Sequence, residues 1–240
     1  MKKNVIILTS GLAGSSVLAA LIARGGWWVG NETFKKADYD TFENRRLIDV
    51  NKHLFDELGY KGNYEMVFDP ADIGLFADRR RPVAAEPMRE LLSECDSHAP
   101  WLWKDPRLWL TIHRWVDFLD LDRTQFINLT RNPVQAWISL TIRRQIQEFG
   151  YLKSYLYGIR DSVRNFLTEQ RAECLEMEYE DLLLRPEQTI GRLNDFLAAD
   201  LRVSDLKDVY RGRLYSKPRG MGDALKAGLI HARNYRDRYR

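Results

Sequence analysis

The sequence predicts a three-layer α/β domain in which helices flank a central parallel β-sheet. Short β-branched runs alternate with helical patterns along the chain, as in parallel sheets that are covered by helices on both faces. The 240 residues are 45% hydrophobic and 30% charged, which is typical of a globular protein and not of a disordered or fibrous one. We expect a single domain over residues 1–240, without an internal repeat or a linker.

The first half of the chain contains a strand and several helical patterns. Residues 5–8 form a short apolar, β-branched run, as in strands that are buried on both faces. Apolar residues recur at helical spacing in segments 17–24, 43–58 and 85–95. Residues 59–83 are rich in Gly, Pro, Asp and Arg, and we interpret them as a lid or acceptor loop.

The second half repeats the alternation of strand and helix. Strand candidates are residues 101–103, 126–129 and 174–177, and helical patterns cover residues 151–166 and the segment that starts at Pro186. Residues 202–240 form a basic C-terminal segment with eleven Lys or Arg and four Asp. This segment is either a solvated, partly helical cover or part of an anion site that uses Lys217, Arg219 and Gly220.

Composition excludes several classes of protein. The chain has 37 Lys or Arg against 34 Asp or Glu, a formal net charge of +3, which is too small for wholesale binding of nucleic acid. Two cysteines cannot form a disulfide framework, and four histidines without a Cys/His cluster argue against structural zinc.

The N-terminus resembles a signal peptide only superficially. Polar and glycine residues at 9–11 and 14–16 interrupt its apolar stretch. No run approaches the roughly 18 apolar residues of a membrane span. We therefore expect a cytoplasmic protein without a membrane span.

A glycine loop (residues 10–16) separates the first strand from the first helix. Such a loop collects unpaired backbone N–H groups at the positive end of a helix dipole, and small residues let an anion come close. Gly11, Gly14, Ser15 and Ser16 supply these features, although a tight turn that binds nothing has the same composition. The Walker A pattern is absent because Gly14 is not followed by Lys, and the third glycine of the dinucleotide fingerprint is missing.

Four segments in order resemble the sulfotransferases that use 3′-phosphoadenosine-5′-phosphosulfate (PAPS), in their bacterial or Golgi-type branch. They are residues 14–16, residues 103–108 at a strand end, residues 126–133 with Ser139 eight positions after Arg131, and residues 178–187. The resemblance implies a P-loop-like fold, PAPS as co-substrate without a metal, and sulfuryl transfer to a hydroxyl or amine. It implies that the cofactor-binding residues are Gly11, Leu12, Ala13, Gly14, Ser15, Ser16, Arg131 and Ser139. The anion-site interpretation of the basic C-terminal segment adds Arg219 to this set.

This sequence departs from the family pattern at the position of the cation that assists the leaving group. The loop position that usually holds Lys or Arg is Leu12. Lys104, at the strand end where the family also has a lysine, is the expected substitute, and Arg107 is a second candidate. The alternative for Lys104 is an ion pair with Asp105.

The general base has several candidates. Cytosolic members of the family have a His two residues after the strand-end Lys, but this position is Pro106 here. Glu43 resembles the carboxylate of the bacterial and Golgi-type branch and is our first choice. The alternative is that Glu43 caps the N-terminus of a helix. Asp105 and His113 are the next candidates for the base. The other interpretation of His113 is a histidine that packs in the core.

Two other functions stay open at this stage. A nucleotide or metabolite kinase would need a loop Lys, which is absent, and a Mg²⁺-binding acid. A non-catalytic nucleotide-binding protein would agree with a degenerate loop at Leu12. Small-molecule, carbohydrate and lipid acceptors remain equally possible, and the sequence leaves the oligomeric state open.

Overall fold

The fold is an α/β sandwich, seen in a computed structural model that describes residues 2–11, 13–37, 39–210 and 220–234. The strands are β1 (Asn4–Thr9), β2 (Thr33–Lys36), β3 (Tyr39–Asn44), β4 (Leu102–Lys104), β5 (Thr124–Thr130) and β6 (Cys174–Glu178). The helices are α1 (Ser15–Arg24), α2 (Arg45–Glu57), α3 (Pro70–Ala77), α4 (Glu86–Ser97), α5 (Leu108–Trp115), α6 (Pro133–Ile142), α7 (Phe149–Glu169), α8 (Tyr179–Leu184), α9 (Pro186–Leu197), α10 (Val203–Val209) and α11 (Met221–Arg233).

In the described part of the chain, the main sheet has four parallel strands in the order β4-β1-β5-β6. Strand β1 is central, and its Ile6 pairs with Trp103 of β4 and with Phe126 of β5. Every residue of β1 is buried, as expected for a strand with helices on both faces.

Two hydrophobic layers cover the sheet, and alternate residues of β1 point into them. Val5 and Ile7 join the layer formed by α1 and α9. Ile6 and Leu8 join the layer formed by α2, α4, α5 and α7, which holds many of the aromatic residues. The predicted three-layer α/β class is therefore confirmed.

The structure differs from the predicted elements in two segments. Strands β2 and β3 pair antiparallel as a hairpin, so Glu43 lies on a strand and α2 begins two residues later. The supposed loop at 59–83 contains α3, whose N-cap Asp69 accepts a hydrogen bond from the N–H of Ala71. Phe76 of α3 is fully buried against Phe55 and Tyr60, which explains why this polar segment folds onto the core.

The C-terminal segment contains two helices among the described residues. Helix α10 packs against α1 and α11 against α6. Lys217 and Arg219 lie outside the described residues, as does Leu12 of the glycine loop. None of the helices described here is both long and apolar enough to cross a membrane.

Two glycines fix the course of the chain from β1 to α1. Gly11 and Gly14 both have left-handed backbones, with φ of 75° and 70°. A Cβ atom on Gly11 would lie 2.7 Å from Cβ of Pro106, and one on Gly14 would lie 2.5 Å from Cε2 of Tyr179. The loop therefore needs glycine at both positions for its φ and for its close contacts.

Gly14→Ala should destabilise the protein more than Gly59→Ala, which is the matched control. Gly59 also has a left-handed backbone, with φ of 69°, but open space where Cβ would lie. The left-handed conformation alone costs about 1–2 kcal/mol, and overpacking against Tyr179 adds about 1–3 kcal/mol. Urea unfolding would measure both variants, and equal losses would show that Tyr179 does not pack tightly on Gly14.

Candidate functional site

Two basic side chains, the glycine loop and the start of a helix lie at the carboxyl edge of the main sheet. Lys104 ends β4, the glycine loop follows β1, Arg131 follows β5, and α8 begins directly after β6. Because β4 and β5 lie on opposite sides of β1, the strand order reverses direction at β1. Ligands of open α/β sheets bind outside the carboxyl ends of the strands at such a point.

The N-terminus of α1 is suited to an anion. Its N-cap is Gly14, which provides no side-chain acceptor, and among the described residues no acid lies in the first turn. The first N–H groups of a helix have no partner within the helix, and they sit at the positive end of its dipole. Ser15 is buried and Ser16 is half-buried at this end.

Lys104 lies at the centre of the site and is only 3% exposed. Its Nζ donates to Oε1 of Glu43 at 2.5 Å, to the carbonyl oxygen of Thr41 at 3.2 Å, and to Oγ of Ser16 at 3.2 Å. The predicted alternative, an ion pair with Asp105, is wrong because the carboxylate partner of Lys104 is Glu43. One ammonium group therefore joins the N-terminus of α1 to the β2–β3 hairpin.

Within β3, the residue before Glu43 has an unusual backbone conformation. Phe42 has a φ of 57°, which is rare for a bulky residue and is typical of functional sites. Oδ1 of Asp40 accepts from the N–H of Phe42 at 2.8 Å, and Oγ1 of Thr41 donates to the carbonyl of Phe34 at 2.6 Å. These bonds hold the backbone of the hairpin, which carries two of the three acceptors of Lys104.

The predicted capping role of Glu43 is wrong. Asn44 is the N-cap of α2, and its Oδ1 accepts from the N–H groups of Arg46 and Leu47. The carboxylate of Glu43 is therefore available for the contact with Lys104, and Glu43 itself is buried.

Asp105 is fully buried and serves the local backbone. Its carboxylate accepts from the N–H of Arg107, from Nη1 of Arg107 and from Nδ2 of Asn51, each at 2.9 Å. Asn51 in turn accepts from Nε1 of Trp115 at 2.8 Å. This network fixes the turn after β4 and occupies both oxygens of Asp105.

His113 packs in the core. Its ring lies 4.3 Å from that of Phe166, centroid to centroid. Burial, together with the charges of Arg79 and Arg114, lowers the pKa of His113 to about 4. The geometry therefore agrees with a packed histidine, one of the two interpretations of His113 drawn from the sequence.

Arg131 is mostly buried and is oriented by the start of α8. Its Nε donates to Oε1 of Glu180 at 3.3 Å, and Oε2 of the same carboxylate accepts from the N–H of Asn132 at 2.8 Å. Burial lowers the pKa of Arg131, and the charge of Glu180 opposes this shift. The ion pair of Arg131 with Glu180 is therefore largely withdrawn from solvent.

Tyr179 connects Arg131 with the glycine loop. The guanidinium carbon of Arg131 lies 5.7 Å from the centroid of the Tyr179 ring, and Gly14 lies against the same ring. The pairing of β1 with β5 continues to Thr9 and Leu129, so the glycine loop and Arg131 leave the sheet side by side. The glycine loop and Arg131, far apart in sequence, therefore flank a single aromatic side chain.

A cavity of about 70 Å³ lies beside Arg131. Its lining includes Ser10, Thr130, Arg131, Arg160 and Glu178. Burial raises the pKa of Glu178, and the nearby charges of Glu180 and Asp181 add to the shift. The cavity is therefore polar and contains groups of both signs.

Ser139 lies two turns along α6, which begins directly after Arg131 and Asn132. The N-cap of α6 is Asn132, with Pro133 in its first turn, so the Arg-Asn-Pro sequence ends β5 and starts this helix. Ser139 is 3% exposed. Its predicted role in binding the 3′-phosphate stays a prediction.

Sequence reasoning assigned no role to three residues of this site. Tyr179 and Glu180 stand in a segment that the resemblance already included, and their position after the last strand was the signal that could have identified them. Thr41 acts through its carbonyl oxygen, and no sequence pattern indicates that contact. Among the described residues, no group of three or more His, Cys, Asp or Glu could hold a metal ion.

Solved structures with a similar fold include a sulfotransferase domain. A sulfotransferase domain from the curacin biosynthetic pathway is 16% identical, with a TM-score of 0.55 over 93% of this chain and 82% of that chain. The sulfotransferase domain of the Synechococcus PCC 7002 olefin synthase has a TM-score of 0.47, with 18% identity over 97% and 96% of the two chains. Sulfotransferase STF9 from Mycobacterium avium has a TM-score of 0.44, with 13% identity over 99% and 78%.

A comparison of the sequence with models of protein families identifies the family of this chain. No curated protein matches the chain. The model of a sulfotransferase family, Sulfotransfer_3, matches residues 30–204, which include Glu43, Lys104, Arg131 and Glu180 but not the glycine loop. This match covers most of the chain and most of the groups at the carboxyl edge of the sheet, and the chain therefore belongs to the sulfotransferase family.

Proposed function

We propose that this protein is a PAPS-dependent sulfotransferase that moves a sulfuryl group to the hydroxyl or amine of an acceptor. The observation that carries the proposal is the position of the Lys104 ammonium between Ser16 at the start of α1 and Glu43. Sulfuryl transfer needs a cation where the leaving phosphate gains charge and a base where the acceptor loses its proton. Lys104 and Glu43 offer this pair of groups.

The proposed donor spans two anion-binding regions. The 5′-phosphosulfate would bind the N–H groups of the glycine loop and α1, where Gly11 and Gly14 permit close approach. The 3′-phosphate would bind Arg131, whose planar guanidinium matches a phosphate. The contact of Tyr179 with both Gly14 and Arg131 supports the assignment of one ligand to both regions.

The proposed reaction is an in-line displacement at sulfur. The acceptor oxygen or nitrogen forms a bond to sulfur while the bond from sulfur to the bridging oxygen breaks, and that oxygen leaves on adenosine 3′,5′-bisphosphate. Glu43 takes the proton of the acceptor. Catalysis of this type depends on positioning and on electrostatic stabilisation.

The ion pair couples these two events. Before reaction the carboxylate of Glu43 holds the ammonium of Lys104 at 2.5 Å. When Glu43 gains a proton, its attraction for Lys104 falls, just as the leaving oxygen becomes more negative. The ammonium group then interacts more strongly with the leaving oxygen, which stabilises the transition state.

The acceptor would approach from the side of segment 59–83. The ring centroid of Tyr64 lies 4.7 Å from the guanidinium carbon of Arg107, and Arg107 is fixed by Asp105 next to Lys104. This chain of contacts from Tyr64 to the residue after Lys104 supports the assignment of segment 59–83 to the acceptor side. The acceptor class stays open among small molecules, carbohydrates and lipids.

Lys104→Met should lower kcat by on the order of 100-fold or more, as expected for the loss of a preorganised charge at the leaving group. The dissociation constant of the bisphosphate should change only a few-fold, because the glycine loop and Arg131 remain. Steady-state kinetics and calorimetry would measure the two quantities. Lys3→Met is the control, since Lys3 forms a surface ion pair with Glu173; equal losses of turnover and affinity would contradict the assignment.

Glu43→Gln should lower kcat by on the order of 100-fold or more, the range expected for general base catalysis. Glutamine keeps the shape and one acceptor oxygen, so the fold should persist. Asp105→Asn is the comparison: it should lower the melting temperature because Arg107 loses its partner, with a smaller effect on kcat. An active Glu43→Gln variant would exclude Glu43 as the base.

Arg131→Lys should weaken binding of adenosine 3′,5′-bisphosphate by on the order of 10-fold, because lysine keeps the charge but loses the guanidinium fork. Binding of adenosine 5′-monophosphate, which has no 3′-phosphate, should change less than twofold. Calorimetry with both nucleotides separates a lost phosphate contact from a disturbed fold. The same loss for both would refute the role of Arg131.

A further inference from the structure

The phenol of Tyr155 reaches the first residue of the glycine loop from α7. Tyr155 is 1% exposed. Its Oη lies 2.8 Å from the carbonyl oxygen of Ser10 and 3.4 Å from that of Tyr64. A single buried hydroxyl therefore lies between the glycine loop and segment 59–83, and its one proton is shared unequally, with the shorter bond to Ser10 and the longer one to Tyr64.

The bond to Ser10 controls an N–H group of the loop. The carbonyl of Ser10 and the N–H of Gly11 belong to one planar peptide unit and point in opposite directions. Fixing the carbonyl toward Tyr155 therefore fixes the direction of the Gly11 N–H. Gly11 has a φ of 75° and no side chain, so the backbone itself can turn more freely there than at other residues.

Helix α7 makes a second hydrogen bond to the segment that contains Tyr64. Tyr151, one turn before Tyr155, donates from Oη to the carbonyl of Met66 at 3.1 Å. The two tyrosines thus hold the backbone of residues 64–66 against α7. Burial raises the pKa of Tyr155 well above its ordinary value, so its hydroxyl stays protonated and can donate.

We propose that Tyr155 is a positioning residue that aligns the Gly11 amide for the sulfuryl donor and links the glycine loop to residues 64–66. The role in donor alignment rests on the proposed function, whereas the link between the two backbones does not. Tyr155 touches neither Lys104 nor Glu43 in the hydrogen bonds described above. Its effect would pass through the backbone of Ser10 and Gly11.

The first test compares Tyr155→Phe with Tyr151→Phe, a matched control that loses a phenol from the same helix to the same segment. Without ligand, hydrogen exchange of the Val17 amide, which donates to the carbonyl of Gly14 at the end of the glycine loop, should speed up by on the order of 10-fold in Tyr155→Phe and less than twofold in Tyr151→Phe. With donor, Tyr155→Phe should lower kcat by on the order of 10-fold and leave the acceptor KM within twofold. Equal exchange rates in the two variants would overturn the proposal.

The second test uses the unmodified protein and so does not depend on the folding of a variant. In native-state hydrogen exchange at low denaturant, the amides of Val17 and Met66, which donate to the carbonyls of Gly14 and Asn63, should open with the same free energy, because the hydroxyl of Tyr155 contacts both segments. Opening free energies that differ by more than about 1.4 kcal/mol, a tenfold difference in population, would overturn the link. Failure of the unmodified protein to bind the bisphosphate would instead refute the proposed function, whatever the exchange data show.

Discussion

The ion pair between Lys104 and Glu43 is the interaction on which the proposed chemistry depends. Both side chains are nearly excluded from water, at 3% and 11% exposure, and their charged atoms are 2.5 Å apart. A buried pair of this kind contributes little net stability, because the loss of hydration opposes the attraction between the charges. In the proposed reaction, the value of the pair lies in what the two groups do for a substrate, since each can be released to a new partner.

The scaffold explains how these groups come together. A parallel sheet brings the carboxyl ends of its strands to one edge, so the ends of β4, β1 and β5 deliver Lys104, the glycine loop and Arg131 to the same region. The hairpin of β2 and β3 then adds Glu43 from outside the main sheet. Buried aromatic residues below this edge, such as Trp103 and Trp109, make the support rigid.

Much of the fold followed from the sequence because its signals are local. The β-branched run of β1 and the proline that starts α9 each identify an element without help from the rest of the chain. The β2–β3 hairpin was missed because Thr33–Lys36 and Tyr39–Asn44 are polar and alternate weakly. Helix α3 was missed because the many turn residues around it masked Phe76.

The candidate site was predictable only in part. Lys104, Arg131 and Glu43 were found through the family resemblance, and the structure brings Lys104 and Glu43 into direct contact. The orientation of Arg131 by Glu180, the carbonyl of Thr41 and the phenol of Tyr155 are contacts between distant segments. Such contacts depend on backbone direction and on packing, which no local pattern encodes.

A crystal structure of the protein with adenosine 3′,5′-bisphosphate tests the central claim most directly. We expect one nucleotide whose 5′-phosphate accepts from the amides that lead into α1, whose 3′-phosphate meets Arg131, and whose leaving oxygen faces Lys104. A nucleotide bound elsewhere, or one whose 3′-phosphate does not meet Arg131, would contradict this account.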